Sequence, residues 1–239
     1  MAKRRFSTLQ IAVHLAAWGL LAWLVWDAIT GNLTINPIQA ATQRTGKYAL
    51  VFLVSSLACT PLHTLFGFRQ VLKARRALGL YAFMFAAIHF AIFVWLDYGF
   101  DWVLLQEAVF EKRFVLVGLT ALSILLALAF TSFKYWMKRM GKNWKRLHKL
   151  VYLAGGLVIV HYAWAVKGDV LNLQGDIFQP LAFGILVTLL FILRIPAVRR
   201  GITKVRGRIS QQSTRAALRK QSLKRSDGAG KVSEQEQHA

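Results

Sequence analysis

The 239-residue chain is 56% hydrophobic and only 17% charged, with a mean hydropathy of +0.42. That balance excludes an ordinary soluble domain and fits a membrane protein. A net charge of +21 and a single cysteine set two further limits. The charge invites a nucleic-acid reading, but no nucleic-acid-binding motif accompanies it and most of it falls on one side of the membrane, as shown below. Cys59 alone cannot build a disulfide framework, a four-cysteine iron-sulfur site or a Cys-x-x-Cys-His heme attachment.

A hydrocarbon core about 30 Å thick requires about 20 mostly apolar residues per helix. The first such segment, 9–29, follows Lys3-Arg4-Arg5. It is too long for a signal-peptide core and no small-x-small site closes it, so it is expected to stay as a span. The second, 48–66, contains Cys59, read as a packed thiol. Segments 78–96, 114–133, 147–166 and 177–193 complete the expectation: an all-α membrane protein with a six-helix transmembrane bundle. Residues 194–239, rich in Arg, Lys, Ser and Gln, read as a solvated tail, partly helical over 199–223, lying against anionic lipid headgroups.

With both termini in the cytoplasm, the inner segments carry 26 Lys and Arg and the outer loops carry 5. The positive-inside rule therefore fixes the expected orientation. Asp27, Asp97, Asp101, Glu107, Glu111, Asp169 and Asp176 fall at or beyond the outer ends and make that face acidic. The expected organisation is a cytoplasmic N-terminus (1–8), a six-span domain (9–196) and a basic cytoplasmic tail (197–239).

Ionisable groups inside a span are costly and mark candidate functional sites. Five of the six histidines, His14, His63, His89, His148 and His161, lie within or at the end of a span. On the 1.5 Å rise per residue, His89 lies roughly 16 Å into the third span and His161 roughly 21 Å into the fifth. The two spans run in the same direction, so these depths match. Paired imidazoles on facing helices suit six-coordinate heme iron, here b-type because no thioether is available. The alternative is two separate histidines, each bonded to a neighbouring hydroxyl or carbonyl.

His148 is about 19.5 Å from His161 along the same helix and about 140° around it, so the two cannot share one iron. It lies near the inner surface among cations suited to heme propionates. Arg75 and Arg76 stand where a partner on the third span would be, while His63 and His14 lie at similar depth. His14 and His63 read as interfacial histidines touching headgroups or water. Gly155-Gly156 permits close approach of a flat macrocycle or of another helix.

A set of motifs sharpens this reading: Asn36-Pro37-Ile38, Thr45-Gly46-Lys47, Thr60-Pro61-Leu62, Arg75-Arg76-x-Leu78-Gly79-Leu80, His89, Leu128-Ala129-Phe130-Thr131-Ser132, Trp144-x-Arg146-Leu147-His148-x-x-Val151-Tyr152-Leu153 and His161. In this order, over about residues 8–200, they resemble the MsrQ/YedZ family. Its members are the heme-binding membrane subunits of the bacterial protein-methionine-sulfoxide reductase system, within the ferric-reductase-like transmembrane group. The resemblance implies His89 and His161 as axial ligands of heme iron and His148 as ligand of a second heme. Relatives in the group pair it with another histidine on the third span, which this sequence lacks. It also implies association with FMN, a bacterial inner-membrane location and electron delivery to a periplasmic molybdopterin methionine sulfoxide reductase subunit that repairs oxidised proteins.

No Gly-x-Gly-x-x-Gly or Walker sequence occurs, so electrons are expected from the quinol pool or a cytosolic flavin reductase rather than from a nicotinamide bound here. A bis-histidine heme has no open iron position and suits electron transfer better than oxygen activation. The rival readings are an ion or metal transporter or channel with a histidine-lined path, a ferric-reductase-like carrier serving another acceptor, and a cofactor-free scaffold.

Overall fold

The computed structural model describes residues 7–166, 168–169, 174–175, 178–204, 206–208 and 211. Two compact units emerge, Met1–Leu193 and Arg194–Ala239. In the second, residues 196–204 are helical, and most of the expected tail lies outside the described residues.

The first unit begins with helix α1 (Thr8–Ile29), which starts on a capping box between Ser7 and Gln10. Such reciprocal bonds satisfy backbone N–H groups that the first turn leaves open. Helix α2 (Pro37–Phe66) starts where Asn36 accepts from the Gln39 N–H and Pro37 occupies the first turn. Gly67 ends it in the left-handed conformation at φ 76°. The expected start at residue 48 is thus corrected to Pro37: polar Gln39, Thr42, Gln43, Arg44 and Lys47 lower the hydropathy without breaking the helix.

Helix α3 (Arg69–Ile92) likewise begins before the expected residue 78, through a basic first half containing Arg69, Lys73, Arg75 and Arg76. It widens into a π-helical turn over Phe93–Asp97. The following turn places Gly99 at φ 56° and Phe100 at φ 62°; the second is strained, because a side chain crowds the left-handed region. Helix α4 (Trp102–Glu111) then occupies a segment read only as an outer loop. Asp101 caps it by accepting from the Val103 and Leu104 N–H groups.

Helix α5 (Arg113–Phe130), short helices α6 (Lys134–Met140) and α7 (Lys142–Leu147), and helix α8 (Leu150–Ala165) follow. An antiparallel ribbon pairs β1 (Gly168–Asp169) with β2 (Gln174–Gly175) before helix α9 (Phe178–Ile192). Thr8–Ile29, Pro37–Phe66, Arg69–Asp97 and Arg113–Phe130 are long and apolar enough to cross a membrane, and a fifth span follows if α9 is counted with the helix after it. Helices α8 and α9, with 16 and 15 residues, fall short of the same length when each is taken alone. The described residues therefore hold four or five candidate spans where the sequence alone led to an expectation of six. The chain is a multi-pass membrane protein built almost entirely from helices.

Helices α2 and α3 form one packed hairpin, and α5 and α8 form another. Leu50, Leu53 and Leu57 of α2, Ala82 and Phe85 of α3, Leu125 of α5 and Ala154 of α8 share one core. Phe52 stacks on Phe85 with centroids 5.4 Å apart and planes at 10°. Leu15, Trp18, Trp23, Leu126 and Ile185 face outward, as expected where lipid replaces water. Because lipid is as apolar as leucine, close packing and interhelical hydrogen bonds weigh more here than they do in a soluble core. Ser56 Oγ donates to the Arg75 carbonyl at 3.0 Å and Gln10 Nε2 to the Lys73 carbonyl at 3.1 Å, holding α2 and α1 against α3.

Candidate functional site

His89 on α3 and His161 on α8 come together. Their ring centroids are 6.1 Å apart and their planes cross at 89°. Each ring is fixed from behind by a neighbouring helix. His89 Nδ1 meets the Thr42 carbonyl of α2 at 2.8 Å, and His161 Nδ1 meets the Phe114 carbonyl of α5 at 2.7 Å.

A carbonyl oxygen only accepts, so each Nδ1 must carry the proton and donate it. The proton-free nitrogen is then Nε2 on both rings. Engaging the second ring nitrogen in this way is how proteins orient metal-bound histidines and raise their basicity. The Thr42 carbonyl also accepts from the Thr45 hydroxyl at 3.0 Å, and Thr45 is fully buried. This part of α2 is therefore a packed wall behind His89.

The pair can be tested against heme on its own dimensions. Two imidazoles that shared one heme iron through Nε2, each nitrogen about 2 Å from the metal and about 1 Å ahead of its ring centre, would stand about 6 Å apart between ring centres. The observed 6.1 Å matches that separation between ring centres. Among the described residues no group of three or more His, Cys, Asp and Glu side chains is placed to hold a metal ion. Two imidazoles are an incomplete set for zinc but a complete axial set for heme iron, whose other four ligands come from the porphyrin. The residues fit heme better than a bare cation.

His148 stands apart from this pair, at the end of α7, and not on the helix of His161 as the sequence led one to expect, because the chain turns at His148–Lys149 before α8 begins. Its ring lies over Trp144, with centroids 4.1 Å apart and planes at 32°, and its Nδ1 meets the Trp144 carbonyl at 3.1 Å. Trp144 Nε1 donates to the Thr131 carbonyl at 2.9 Å, joining α7 to the end of α5. Arg75 lies within electrostatic reach of His148, and its Nη1 donates to Thr60 Oγ at 3.4 Å. The Thr60, Arg75, Thr131, Trp144 and His148 positions of the sequence motifs thus form one basic cluster.

Of the other described histidines, His14 departs from its sequence reading. His14 Nδ1 meets the Tyr81 hydroxyl at 2.6 Å, so an expected interfacial residue joins α1 to α3. His63 lies in the last turn of α2, and its carbonyl accepts from the Gly67 N–H. The two glycines of α8 meet different surroundings. A Cβ on Gly155 would lie 3.2 Å from Leu57 and 3.3 Å from Phe191, so Gly155 serves helix packing, whereas Gly156 faces open space.

Residues 45–159 match the family described as the ferric reductase like transmembrane component. A curated relative from Rhodospirillum rubrum, the protein-methionine-sulfoxide reductase heme-binding subunit MsrQ, is 39% identical over 193 residues, covering 80% of this chain and 89% of the relative. The protein of the same description from Xanthomonas euvesicatoria pv. vesicatoria is 40% identical over 167 residues, 69% of this chain and 77% of that one. A third, from Herminiimonas arsenicoxydans, is 39% identical over 168 residues, 70% and 75% of the two chains.

Proposed function

This chain belongs to the family of protein-methionine-sulfoxide reductase heme-binding subunits, and from that premise we propose that it carries electrons across the bacterial inner membrane through b-type heme held by His89 and His161. The observation that carries the proposal is the imidazole pair at 6.1 Å, with both Nδ1 atoms committed to backbone carbonyls. Bound there, heme supplies reversible one-electron chemistry.

The protein's own contribution is positional. Thr42 and Phe114 hold the two rings in the tautomer that would present Nε2 to a bound heme iron, whose one-electron chemistry suits electron transfer. The α2–α3 and α5–α8 hairpins that carry the pair share an apolar core that includes Leu53, Phe85 and Leu125. Six spans with both termini cytoplasmic would place this site toward the periplasm; α8 and α9 complete the count, supported by the inward-biased Lys and Arg. His148, beside Arg75 and Trp144, is the proposed ligand of a second, cytoplasmic-side heme.

On this reading electrons enter at the basic face from the quinol pool or a cytosolic flavin reductase. FMN belongs to that entry side, where Arg75, Arg76 and Lys142 offer charge to a phosphate. They leave to a periplasmic molybdopterin-dependent methionine sulfoxide reductase subunit that restores oxidised proteins. An absorption spectrum of the purified, heme-replete chain tests the cofactor: a Soret band and a sharp reduced α-band are expected. In His89→Ala and His161→Ala the signal of the periplasmic-side heme disappears; unchanged heme in both variants would refute the ligand assignment. Reduced chain mixed with the reductase subunit, or with ferric chelates, tests the acceptor.

A further inference from the structure

The backbone acceptors behind the two histidines are spaced alike. Thr42 precedes His89 by 47 residues, and Phe114 precedes His161 by 47. Four residues after each acceptor stands a glycine, Gly46 on α2 and Gly118 on α5. A Cβ on Gly46 would lie 3.1 Å from His89 Nδ1; one on Gly118 would lie 2.6 Å from His161 Nδ1. A Leu-Ala-x-Thr stretch also follows in each case, Leu57-Ala58-x-Thr60 within α2 and Leu128-Ala129-x-Thr131 across the end of α5.

A mechanism links the carbonyl to the glycine. In an α-helix the carbonyl of residue i bonds to the N–H of residue i+4, whose side chain stands beside that oxygen. A second donor reaches the oxygen's free lone pair from outside the helix only if that side chain leaves room. Imidazole is wide and rigid, and the close approach at both glycines shows that even a methyl group crowds it.

We infer that the turns Thr42–Gly46 and Phe114–Gly118 are one device used twice, in which Gly46 and Gly118 are positioning residues that hold the two imidazole planes crossed. The inference rests on the reading that His89 and His161 bind heme iron. Neither glycine touches the iron; each sets the tilt of its histidine and the strength of the Nδ1–H bond behind it. Crossed axial imidazoles give ferric heme a highly anisotropic low-spin resonance, and a stronger Nδ1–H bond lowers the midpoint potential by making the ligand more basic.

The test uses the full chain in detergent, loaded with heme, as Gly46→Ala and Gly118→Ala beside Gly19→Ala, a mid-helix glycine of α1 with open space around it. Three readouts are taken: heme per chain, the low-spin resonance and the midpoint potential of the His89–His161 heme. Gly118→Ala is expected to lose heme several-fold, because 2.6 Å forces His161 off its acceptor. Gly46→Ala is expected to keep heme but with an altered resonance and a raised potential, since His89 can yield by a few tenths of an ångström. Gly19→Ala matches the wild type.

Wild-type resonance and potential in Gly46→Ala, or a larger effect there than in Gly118→Ala, would overturn the inference. If Gly118→Ala does not accumulate, Gly46→Ala decides alone. His89→Ala and His161→Ala separate the two levels: heme kept in them defeats the heme assignment, whereas heme lost in them but unaffected by the glycine changes defeats only the positioning role.

Discussion

Asp27 on α1 is paired with Arg44 on α2, two residues beyond the Thr42 carbonyl that holds His89. Trp23 Nε1 also donates to the Asp27 carboxylate, at 2.9 Å. Asp27 is only 8% exposed, so its charge depends on these partners. Asp27→Asn is expected to cost about 1–3 kcal/mol. A melting curve should fall by several degrees, and heme should leave the His89 site earlier in the melt. Adding Arg44→Ala should cost less than the two single losses combined, because the pair acts together. Fully additive losses would show that the pair is merely exposed charge.

Tyr81→Phe removes the hydroxyl that meets His14 between α1 and α3. Interhelical hydrogen bonds in membranes are worth about 0.6 kcal/mol on average and up to about 1.7. The variant should lose stability in that range, with heme content and potential unchanged. A shift in the heme spectrum would assign His14 and Tyr81 to the electron path rather than to packing.

His148→Ala should reduce heme per chain by one equivalent while the His89–His161 heme keeps its resonance. The site's separation supports this independence, since His148 belongs with Trp144 and Arg75 and not with the crossed pair. Unchanged stoichiometry would make His148 a structural cap between α7 and α8.

Lys112 Nζ donates to the Tyr98 hydroxyl at 2.8 Å, in the connection ahead of α5. That bond leads the causes that raise the Lys112 pKa above its ordinary value. A raised folded value means that the stabilisation is fully present below the unfolded lysine pKa and disappears as pH climbs through the folded one. Melting temperature followed from neutral into strongly alkaline solution should therefore converge between wild type and Tyr98→Phe only at the alkaline end. The difference stays small, because Lys112 is largely solvated. Parallel curves at all pH values would remove the bond from the account.

The site was legible in the sequence as chemistry and depth. His89 and His161 stand out because ionisable groups are rare in apolar helices, and comparable depth needs only the helical rise. Their acceptors were hidden, because any residue supplies a carbonyl; the regular spacing to Gly46 and Gly118 was the available clue. Helix boundaries were misread where polarity and helicity part company. Hydropathy located the apolar portion of α2 but missed its polar start, although Asn36-Pro37 carries the cap signal. Asp101 likewise announced α4, whose acidic and aromatic residues resemble a loop by composition alone. The His14–Tyr81 bond spans 67 residues and exists only once α1 lies against α3, so no local pattern reveals it.

The acceptors behind His89 and His161 are main-chain atoms, and a main-chain carbonyl has no codon. Threonine supplies one and phenylalanine the other, with equal effect on the imidazole proton. Substitution at residue 42 or 114 leaves the acceptor in place so long as the helix survives. Genetic variation therefore acts on the pair through the packing around it, at the Phe114 ring beside His161 and at the two glycines, where even a methyl group crowds an imidazole.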